Sequence, residues 1–440
     1  MSAFPLRARS LGGHLSPAAA LFAAALTVSV GTGVALRSPL LLGIGAVAGA
    51  VVALRAAPEL SLVLLASQGS LKSLYPFTEI PVDLLLVTLA LTLWSCRVMI
   101  RRHGLPRVPW TAALFLAVST LLVFAAMRSS LPGAMSKAIY FEVVSLLLFF
   151  SPFVLVRDLA ALGRLALAFI AVAFIIVQAT SPTVDPSQPF TVPGGSEITA
   201  GLFPAFGALA AITCLAMRVR GPWRIVAFAV GAALAAAAAR AGSRGVLVAL
   251  VAAMLLGGIL LVLHSRRPVI TFALITAAGV AIAAVGRQVV SPAALSRYER
   301  ITNDPRRGYL HTSALDQAFA HPLGNGIGTF GLNLPVMNPR PAVPYPHNAA
   351  IEIFNESGIF ALAAFAALVG AAFLSALRVA RLPGGAFCAA GLAFTLLEAF
   401  ASGSVNDDSL LWMMLGISLA MPASAAASDG LTRSAAGLVR

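Results

Sequence analysis

Two arginines interrupt otherwise apolar sequence in the stretch AARAGSRG. Arg240 and Arg244 are four residues apart, so an unbroken helix would place both on one face, although Gly242 and Gly245 favour a break between two helices. Arginine at membrane depth is costly, and it must face a cavity, a partner or a ligand. Its planar guanidinium suits phosphate and keeps its charge. We therefore interpret Arg244 as an anion-binding residue, whereas for Arg240 anion binding and snorkelling to lipid headgroups are equal alternatives.

A histidine and an asparagine open a second pattern, which runs through PHNAAIEIFNESGIFALAAF directly into an apolar segment. The pattern predicts a helix N-terminus, where backbone N–H groups and the helix dipole favour an anion. His347 can exchange a proton near neutral pH there, or it can serve as a capping or hydrogen-bonded surface residue. Asn348, Glu352 and Glu356 are spaced by four and share one polar helix face. Because that face must meet water or other helices, we expect a cleft beside it.

The long polar stretch 287–356 carries a basic excess ahead of His347. Its arginines are Arg287, Arg297, Arg300, Arg306, Arg307 and Arg340, against the acids Glu299, Asp304 and Asp316. The excess makes an anion-binding surface, although for most of these arginines a solvated face that touches lipid headgroups is the simpler interpretation. His311, His321 and His347 lie ten or more residues apart and no DxD-type acidic pair is present, so we predict no metal site and expect arginines to balance phosphate charge. Without a P-loop or dinucleotide fingerprint, we also predict no cofactor.

The composition identifies the elements that must position these residues. Of 440 residues, 59% are hydrophobic and only 10% charged, whereas a soluble domain carries about a quarter charged residues. Apolar segments fall near 17–36, 39–54, 57–71, 80–98, 110–127, 138–156, 163–178, 198–217, 223–240, 245–264, 269–286, 357–377, 386–403 and 408–421. Such runs are typical of membrane-spanning helices, so we predict an all-α polytopic membrane protein with about 12–14 spans. The short segments at 39–54 and 57–71 fit one hairpin or interfacial pieces.

The formal net charge of +14 is explained by membrane orientation. Lys and Arg collect in cytoplasmic loops, so we predict no nucleic-acid partner. With the N-terminus in the cytoplasm, the basic residues of successive loops fall on the cytoplasmic side: Arg55, Arg97, Arg101, Arg102, Arg107, Arg157, Arg164, Arg218, Arg220, Arg224, Arg266, Arg267, Arg378 and Arg381. Both termini are therefore predicted to be cytoplasmic. The three cysteines form no CxxC pair and are predicted to be apolar packing residues.

This topology divides the chain into three parts. Residues 1–286 form an N-terminal transmembrane bundle, 287–356 a large outer loop with short helices of its own, and 357–440 the C-terminal transmembrane helices with a cytoplasmic tail. A second outer segment, 179–197, is rich in Pro, Ser, Thr and Gly and predicts a flexible flap. The first apolar segment has no clear cleavage site after it, so we predict a retained helix rather than a signal peptide.

Three motifs, in the order found here, resemble the O-antigen ligase and polymerase superfamily. They are SRG at 243–245, Arg307 followed by HPLGNGIGTF at 321–330, and HNAAIEIFNESG at 347–358. The similarity covers roughly residues 190–400, and it includes two outer arginine motifs, a large outer loop and a His-Asn pair that opens a span. In the family a tryptophan usually follows the second arginine by four residues. Here His311 stands at that position, which leaves the choice between Arg306 and Arg307 open.

The resemblance implies the architecture of the large membrane-bound inverting glycosyltransferases, the GT-C-like fold. It implies an enzyme of lipopolysaccharide biosynthesis in the bacterial inner membrane, with a periplasmic active site and no metal. Its donor is a glycan on undecaprenyl pyrophosphate and its acceptor the lipid A-core. Carried over, Arg244 and Arg307 hold the pyrophosphate and His347 acts as base on the acceptor hydroxyl. The substrate-binding residues expected around them are Arg240, Arg306, Asn348, Glu352 and Glu356.

Three other functions share parts of this pattern. An O-antigen polymerase has the same donor and outer arginines but extends another lipid-linked unit, and the HN-x9-G helix favours the ligase. A protein O-oligosaccharyltransferase shares the motifs but usually has an extra C-terminal region, whereas this chain ends about 20 residues after its last predicted span. A transporter would carry charges near the midplane of several spans and paired broken helices, whereas the charges here gather at one face.

Overall fold

A computed structural model of the protein describes residues 54, 57–72, 83–180, 197–219, 221–265, 268–269, 272–273, 305–334, 345–405 and 408–422, and the structural statements below concern these residues. All regular structure in them is helical. The predicted segment 17–36, nearly all of 39–54 and of the flap 179–197, and most of 269–286 lie outside the described residues. So do the parts 287–304 and 335–344 of the predicted outer loop and the tail from 423 onward.

The helices follow one another along the chain and are numbered in that order. They are α1 (Leu60–Lys72), α2 (Leu84–His103), α3 (Ala113–Arg128), α4 (Ala134–Leu155), α5 (Leu159–Thr180), α6 (Glu197–Ala210), α7 (Pro222–Arg240), α8 (Arg244–His264), α9 (Pro305–Ala320), α10 (Ala349–Ser357), α11 (Ile359–Val379), α12 (Ala386–Ala401) and α13 (Ser409–Pro422). A π-helical turn at Ala211–Leu215 and a last turn at Ala216–Arg218 extend α6.

Eight of the described helices are long and apolar enough to cross a membrane, which confirms the prediction of an all-α polytopic membrane protein. They are α2 to α8 and α11, while α12 and α13 are apolar but shorter. The predicted total of about 12–14 spans includes segments outside the described residues and stays a prediction. Helix α1, in the short segment predicted near 57–71, has 13 residues, too few to span a bilayer, and packs on α2 and α5.

Aromatic rings around Trp412 fill the centre of the bundle. The Trp412 ring lies 5.5 Å from Phe115, 5.3 Å from Phe141 and 5.9 Å from Phe365, each measured between centroids and each edge-on. Such edge-to-face pairs contribute about 0.5–1.5 kcal/mol beyond their buried area. The Trp412 indole also donates a hydrogen bond to the carbonyl oxygen of Val405 at 3.1 Å. The buried start of α13 therefore holds the connection between α12 and α13 in place.

One end of the bundle collects arginines from loops predicted to be cytoplasmic. Arg157 follows α4 and donates to the carbonyl oxygen of Gly104, which follows α2, at 2.8 Å. Arg164, at the start of α5, pairs with the buried Glu59 ahead of α1. Arg218, at the end of α6, lies against the connection between α11 and α12. The structure thus places these predicted loops at a single end, and the compartment that this end faces stays a prediction.

At the opposite end, the motif HPLGNGIGTF forms a joint between α9, α10 and α3. The backbone N–H of Asn325 donates to the carbonyl oxygen of Asn355 at 2.9 Å, and Arg128 donates to that of Leu323 at 2.9 Å. Gly358 has a φ of 86°, and a Cβ atom there would lie 2.5 Å from the carbonyl carbon of Leu323. Only glycine fits both the left-handed backbone and the close approach. The joint fixes α9 relative to α10, and both carry residues of the candidate site.

Candidate functional site

Two of the three sequence motifs meet at the C-terminal end of α12. The Nδ2 atom of Asn348 donates to the carbonyl oxygen of Phe400, and Nη1 of Arg307 donates to that of the next residue, Ala401, both at 2.8 Å. The last carbonyl groups of a helix have no partner inside it, so they accept from outside donors, and the negative end of the helix dipole favours a cation. Bonds to consecutive carbonyls hold Arg307 and Asn348 side by side although they are distant in sequence.

The SRG motif reaches the same end of α12. Helix α7 ends at Arg240 and, after a short turn, α8 begins at Arg244, so the predicted break is confirmed. A Cβ atom on Gly245 would lie 3.0 Å from side-chain atoms of both Ala401 and Ser402. The start of α8 is therefore in contact with the carbonyl end of α12, and glycine at this position allows that contact. Both arginine side chains are partly exposed.

Helices α9 and α10 run side by side in the same direction. The first turn of α9 and the N-cap of α10 both bond to the end of α12, as described for Arg307 and Asn348. One to two turns further on, Nδ2 of the buried Asn355 donates to the carbonyl oxygen of Ala314 at 2.8 Å. Ile351 packs on the small core of Leu310, Ala314 and Phe330. This parallel pairing sets Arg307 level with the His347–Asn348 pair.

His347 has a backbone conformation that side chains rarely adopt. Its φ of 57° is left-handed, and it is the one non-glycine residue with positive φ among the described residues. Such a conformation costs on the order of 1–3 kcal/mol and is found most often at functional sites, where the surrounding structure enforces it. The His347 ring is partly exposed and lies 4.0 Å from the Tyr345 ring, centroid to centroid. It stands directly before the N-terminus of α10, as predicted.

Asn348 is the N-cap of α10 and a clamp between two helices. Its Oδ1 accepts hydrogen bonds from the backbone N–H groups of Ala350 and Ile351, both at 3.1 Å, while its Nδ2 donates to α12. An N-cap of this kind contributes about 0.5–2 kcal/mol. The amide therefore fixes the position of the preceding His347. Its predicted contact with substrate stays a prediction.

The predicted acidic face of α10 meets other helices. Lys137, near the start of α4, lies 3.3 Å from Glu352 and 4.0 Å from Glu356, and both carboxylates are buried. Glu352 also accepts from the hydroxyl of Ser404 at 3.2 Å and the backbone N–H of Val405 at 3.0 Å. These contacts go to the protein itself, so the two acids join α4, α10 and the α12–α13 connection. A substrate contact for either acid stays a prediction.

Burial raises the pKa of Glu356 to about 8, since the charged form loses water. The neighbouring Glu352 carboxylate raises this pKa further, whereas Lys137 and the backbone N–H of Gly328, which donates to Glu356 at 2.8 Å, lower it. The two buried acids and the partly exposed Lys137 therefore form one electrostatically linked cluster. Sequence reasoning missed Lys137, whose only signal was a cation at the edge of an apolar segment.

An acid outside the predicted site, Glu398, interacts with Arg307. Glu398 accepts a hydrogen bond from the Ser402 hydroxyl at 2.7 Å and interacts with Arg307 and Asp408. In the sequence, Glu398 is an isolated acid in an apolar segment, which signals a functional or paired residue only weakly. Asp83, a similar isolated acid, instead caps α2 through a backbone N–H bond at 2.9 Å. Glu398 and Asp83 look alike in the local sequence, and only the fold shows that one lies near Arg307 while the other caps a helix.

The structure brings most of the predicted site residues to one end of the bundle. Arg307 and the His347–Asn348 pair are adjacent at α12, and α8 begins against the same helix end. Arg306 lies in the first turn of α9, and its side chain lies outside the described residues. Among the described residues, no group of three or more His, Cys, Asp and Glu side chains is arranged to hold a metal ion. The arrangement offers fixed cations beside an ionisable imidazole.

Comparison of the chain with models of protein families, with characterised proteins and with solved structures gives no match in any of the three. A functional assignment therefore depends on the residues of the site and on what their arrangement can do chemically.

Proposed function

We propose that this protein is an O-antigen ligase-like glycosyltransferase of the bacterial inner membrane. It transfers a glycan from undecaprenyl pyrophosphate to the lipid A-core of lipopolysaccharide at the periplasmic face, with inversion and without a metal ion. The proposal combines the resemblance of three motifs with the position of those motifs in the fold. Its GT-C-like architecture and its compartment are parts of the same proposal.

The observation that carries the proposal is the meeting of all three motifs at the end of α12. Arg307 donates to the carbonyl of Ala401 and Asn348 to that of the preceding Phe400, and Gly245 packs against the same turn. Motifs that are separated along the chain have no structural need to meet at one point. Their meeting is expected if each supplies one part of a single reaction centre.

The arginines suit the leaving group of this reaction. A sugar that is bonded to pyrophosphate departs readily when the negative charge on the oxygen is stabilised as the bond breaks. Fixed cations in a site that excludes water do this most effectively, and losing one such group costs about 10²–10³ in rate. In the proposal Arg244 and Arg307 take this role, with Arg240 and Arg306 as further contacts to the donor.

His347 suits the acceptor. The hydroxyl of the acceptor sugar gives its proton to the imidazole while its oxygen attacks the anomeric carbon from the side opposite the pyrophosphate. The bond between the anomeric carbon and the pyrophosphate oxygen breaks, and undecaprenyl pyrophosphate leaves with the electron pair. The imidazolium later releases the proton to water. A positioned base of this kind contributes about 10²–10⁴ in rate.

The test is a reconstituted reaction with the purified full chain in detergent. A lipid-pyrophosphate glycan donor and a lipid A-core acceptor are incubated with the protein in the presence of a chelator, and both lipids are followed by gel and mass spectrometry. The proposal expects glycan on the acceptor, and it expects the same yield when Mg²⁺ replaces the chelator.

Two other outcomes contradict the ligase assignment in different ways. Growth of the glycan on its own lipid carrier would identify a polymerase, which shares the donor but uses another lipid-linked unit as acceptor. No change in either lipid, with a folded protein, would overturn a transferase function altogether. Transfer that stops when the chelator is added would retain the transferase but contradict the metal-free mechanism.

A further inference from the structure

A second histidine lies one helical turn from Arg307 and has no role in the mechanism described above. His311 follows Arg307 by four residues on α9, so both side chains leave the same face of the helix, with Cβ atoms about 6 Å apart. That face is buried, because Leu310 is 6% exposed and Ala314 is fully buried. His311 therefore lies on the same, largely buried side of α9 as Arg307, and both residues are partly exposed.

The Nε2 atom of His311 is buried, and none of the described residues forms a hydrogen bond with it. A buried polar atom without a partner costs about 1–3 kcal/mol, so such atoms are rare in folded proteins unless a ligand completes them. The residue as a whole is only partly buried, so some of its other atoms remain accessible. The atom is thus placed to donate to a bound molecule.

His311 lies along α9 between two residues whose contacts with other helices are known. On one side of His311, Arg307 bonds to the carbonyl end of α12; on the other, the backbone of Ala314 bonds to Asn355 of α10. Along α9, His311 therefore lies one turn after the residue that contacts α12 and just before the residue that contacts α10. An imidazole N–H next to a fixed guanidinium is a pair of donors that suits an anion with several oxygens.

We propose that His311 donates a hydrogen bond from Nε2 to the anionic group bound by Arg307, and so contributes to binding the pyrophosphate of the lipid donor. The identity of the anion rests on the proposed function, whereas the pairing of His311 with Arg307 rests on the geometry. Because the non-bridging oxygens of the pyrophosphate are already charged in the donor, a bond to one of them stabilises bound donor and transition state alike. Its loss therefore raises KM for the donor and leaves kcat unchanged.

The experiment measures binding and transfer with the full chain in detergent. Binding of radiolabelled undecaprenyl pyrophosphate is compared for wild type, His311→Leu and His311→Gln. We expect Kd and the donor KM to rise about 10- to 100-fold in His311→Leu, since a hydrogen bond to a charged group is lost. His311→Gln keeps an N–H donor and recovers most of the affinity. His321→Leu, at an exposed histidine just after α9, is the matched control and binds as wild type does.

Each result decides a different point. Equal Kd for wild type and His311→Leu, or a thermal destabilisation of His311→Leu with no change in Kd, overturns the role of His311 and leaves the ligase proposal intact. Weaker binding in His311→Leu without transfer to any acceptor supports His311 and overturns the proposed function. If wild type does not bind undecaprenyl pyrophosphate, the anion site itself is wrong. His311→Met, with a more adaptable side chain, replaces His311→Leu if that variant does not fold.

Discussion

Arginines stand at both ends of the helical bundle, but their neighbours differ. At one end, Arg157 bonds to backbone carbonyls and Arg164 pairs with a buried glutamate, so these side chains join loops to helix ends. At the other end, Arg307 also bonds to a helix carbonyl, yet it lies beside Glu398 and level with the strained His347. Arg128, at this second end, bonds to the carbonyl oxygens of Leu323 and Gly324, so it too joins a helix end to a loop.

Positive charge alone therefore does not locate a reaction centre in a membrane protein. Arginine suits both helix carbonyls and phosphate, because its donors form a fixed fork. What distinguishes the second end is the mixture of ionisable groups: a guanidinium, an imidazole and buried carboxylates within a few residues of the end of α12. Such mixtures are typical of functional sites, where pKa values are shifted by neighbours. The predictions below test that distinction.

The largest effect is expected for His347→Ala. The proposed base would be lost, so kcat should fall by about 10²–10⁴ while the protein stays folded. The measurement is the initial rate of glycan transfer with thermal unfolding as the folding control. His321→Ala, which alters an exposed histidine outside the site, should transfer at the wild-type rate. Wild-type transfer by His347→Ala would contradict the assignment of the base and leave the strained backbone as a structural feature.

The next largest effect is expected for Arg307→Ala, with Arg381→Ala as the matched variant at the opposite end. Loss of a fixed cation from the leaving group should lower kcat by about 10²–10³. Arg381 is an exposed residue after α11, and its removal should leave transfer unchanged. Comparable losses in both variants would show that the two ends do not differ in function, and the comparison would fail.

The membrane class and the break at SRG were predictable because they depend on local sequence. Apolar runs of span length and an arginine pair flanked by glycines leave few alternatives for the backbone. The position of Asn348 at the start of α10 was predictable for the same reason, since a cap residue ahead of an amphipathic pattern is a local signal. These features do not require knowledge of which helices are neighbours.

The partners of the site residues could not be predicted, because they come from helices distant in sequence. Nothing near Glu352 indicates Lys137, which contributes from α4, and nothing near Arg307 indicates the carbonyl of Ala401. From the sequence, the acidic face of α10 could contact either water or other helices. Packing between helices that are distant in sequence places it against other helices. The glycines of GNGIG resemble a phosphate-binding loop in composition. However, the backbone N–H of Gly326 donates to the backbone carbonyl oxygen of Glu356 in α10 at 2.9 Å.

A third prediction concerns Glu356 and the pH dependence of stability. Its pKa is about 8 in the folded protein against an ordinary value of 4.5, so the folded chain keeps a proton that the unfolded chain releases between these values. The stability contributed by protonated Glu356 is complete below about pH 4.5 and is lost as pH rises through about 8. Glu356→Gln, which cannot ionise, should therefore lose less stability than wild type between about pH 5 and about pH 9.

The measurement is the thermal midpoint of the detergent-solubilised protein across that pH range. Lys137 and Glu352 face Glu356 and remain in the variant, so the difference between the two pH profiles isolates Glu356. Asp316→Asn, at an exposed position of α9, is the matched control and should follow the wild-type profile. Parallel profiles for Glu356→Gln and wild type would mean that the acids of α10 do not store a proton in the fold.

The smallest effect is expected for Arg157→Ala. This variant tests whether the arginines at the end with the predicted cytoplasmic loops serve only to join loops to helix ends. The guanidinium bonds to the carbonyl oxygens of Val154 at 2.9 Å and Gly104 at 2.8 Å, in a partly exposed position. Losing such bonds should lower the free energy of unfolding by about 1 kcal/mol. The transfer rate, measured well below the thermal midpoint, should stay at the wild-type value because the described site residues lie at the opposite end of the bundle. A lowered kcat at full stability would place a functional arginine at the end where we assign only structural ones, and it would remove the difference between the two ends.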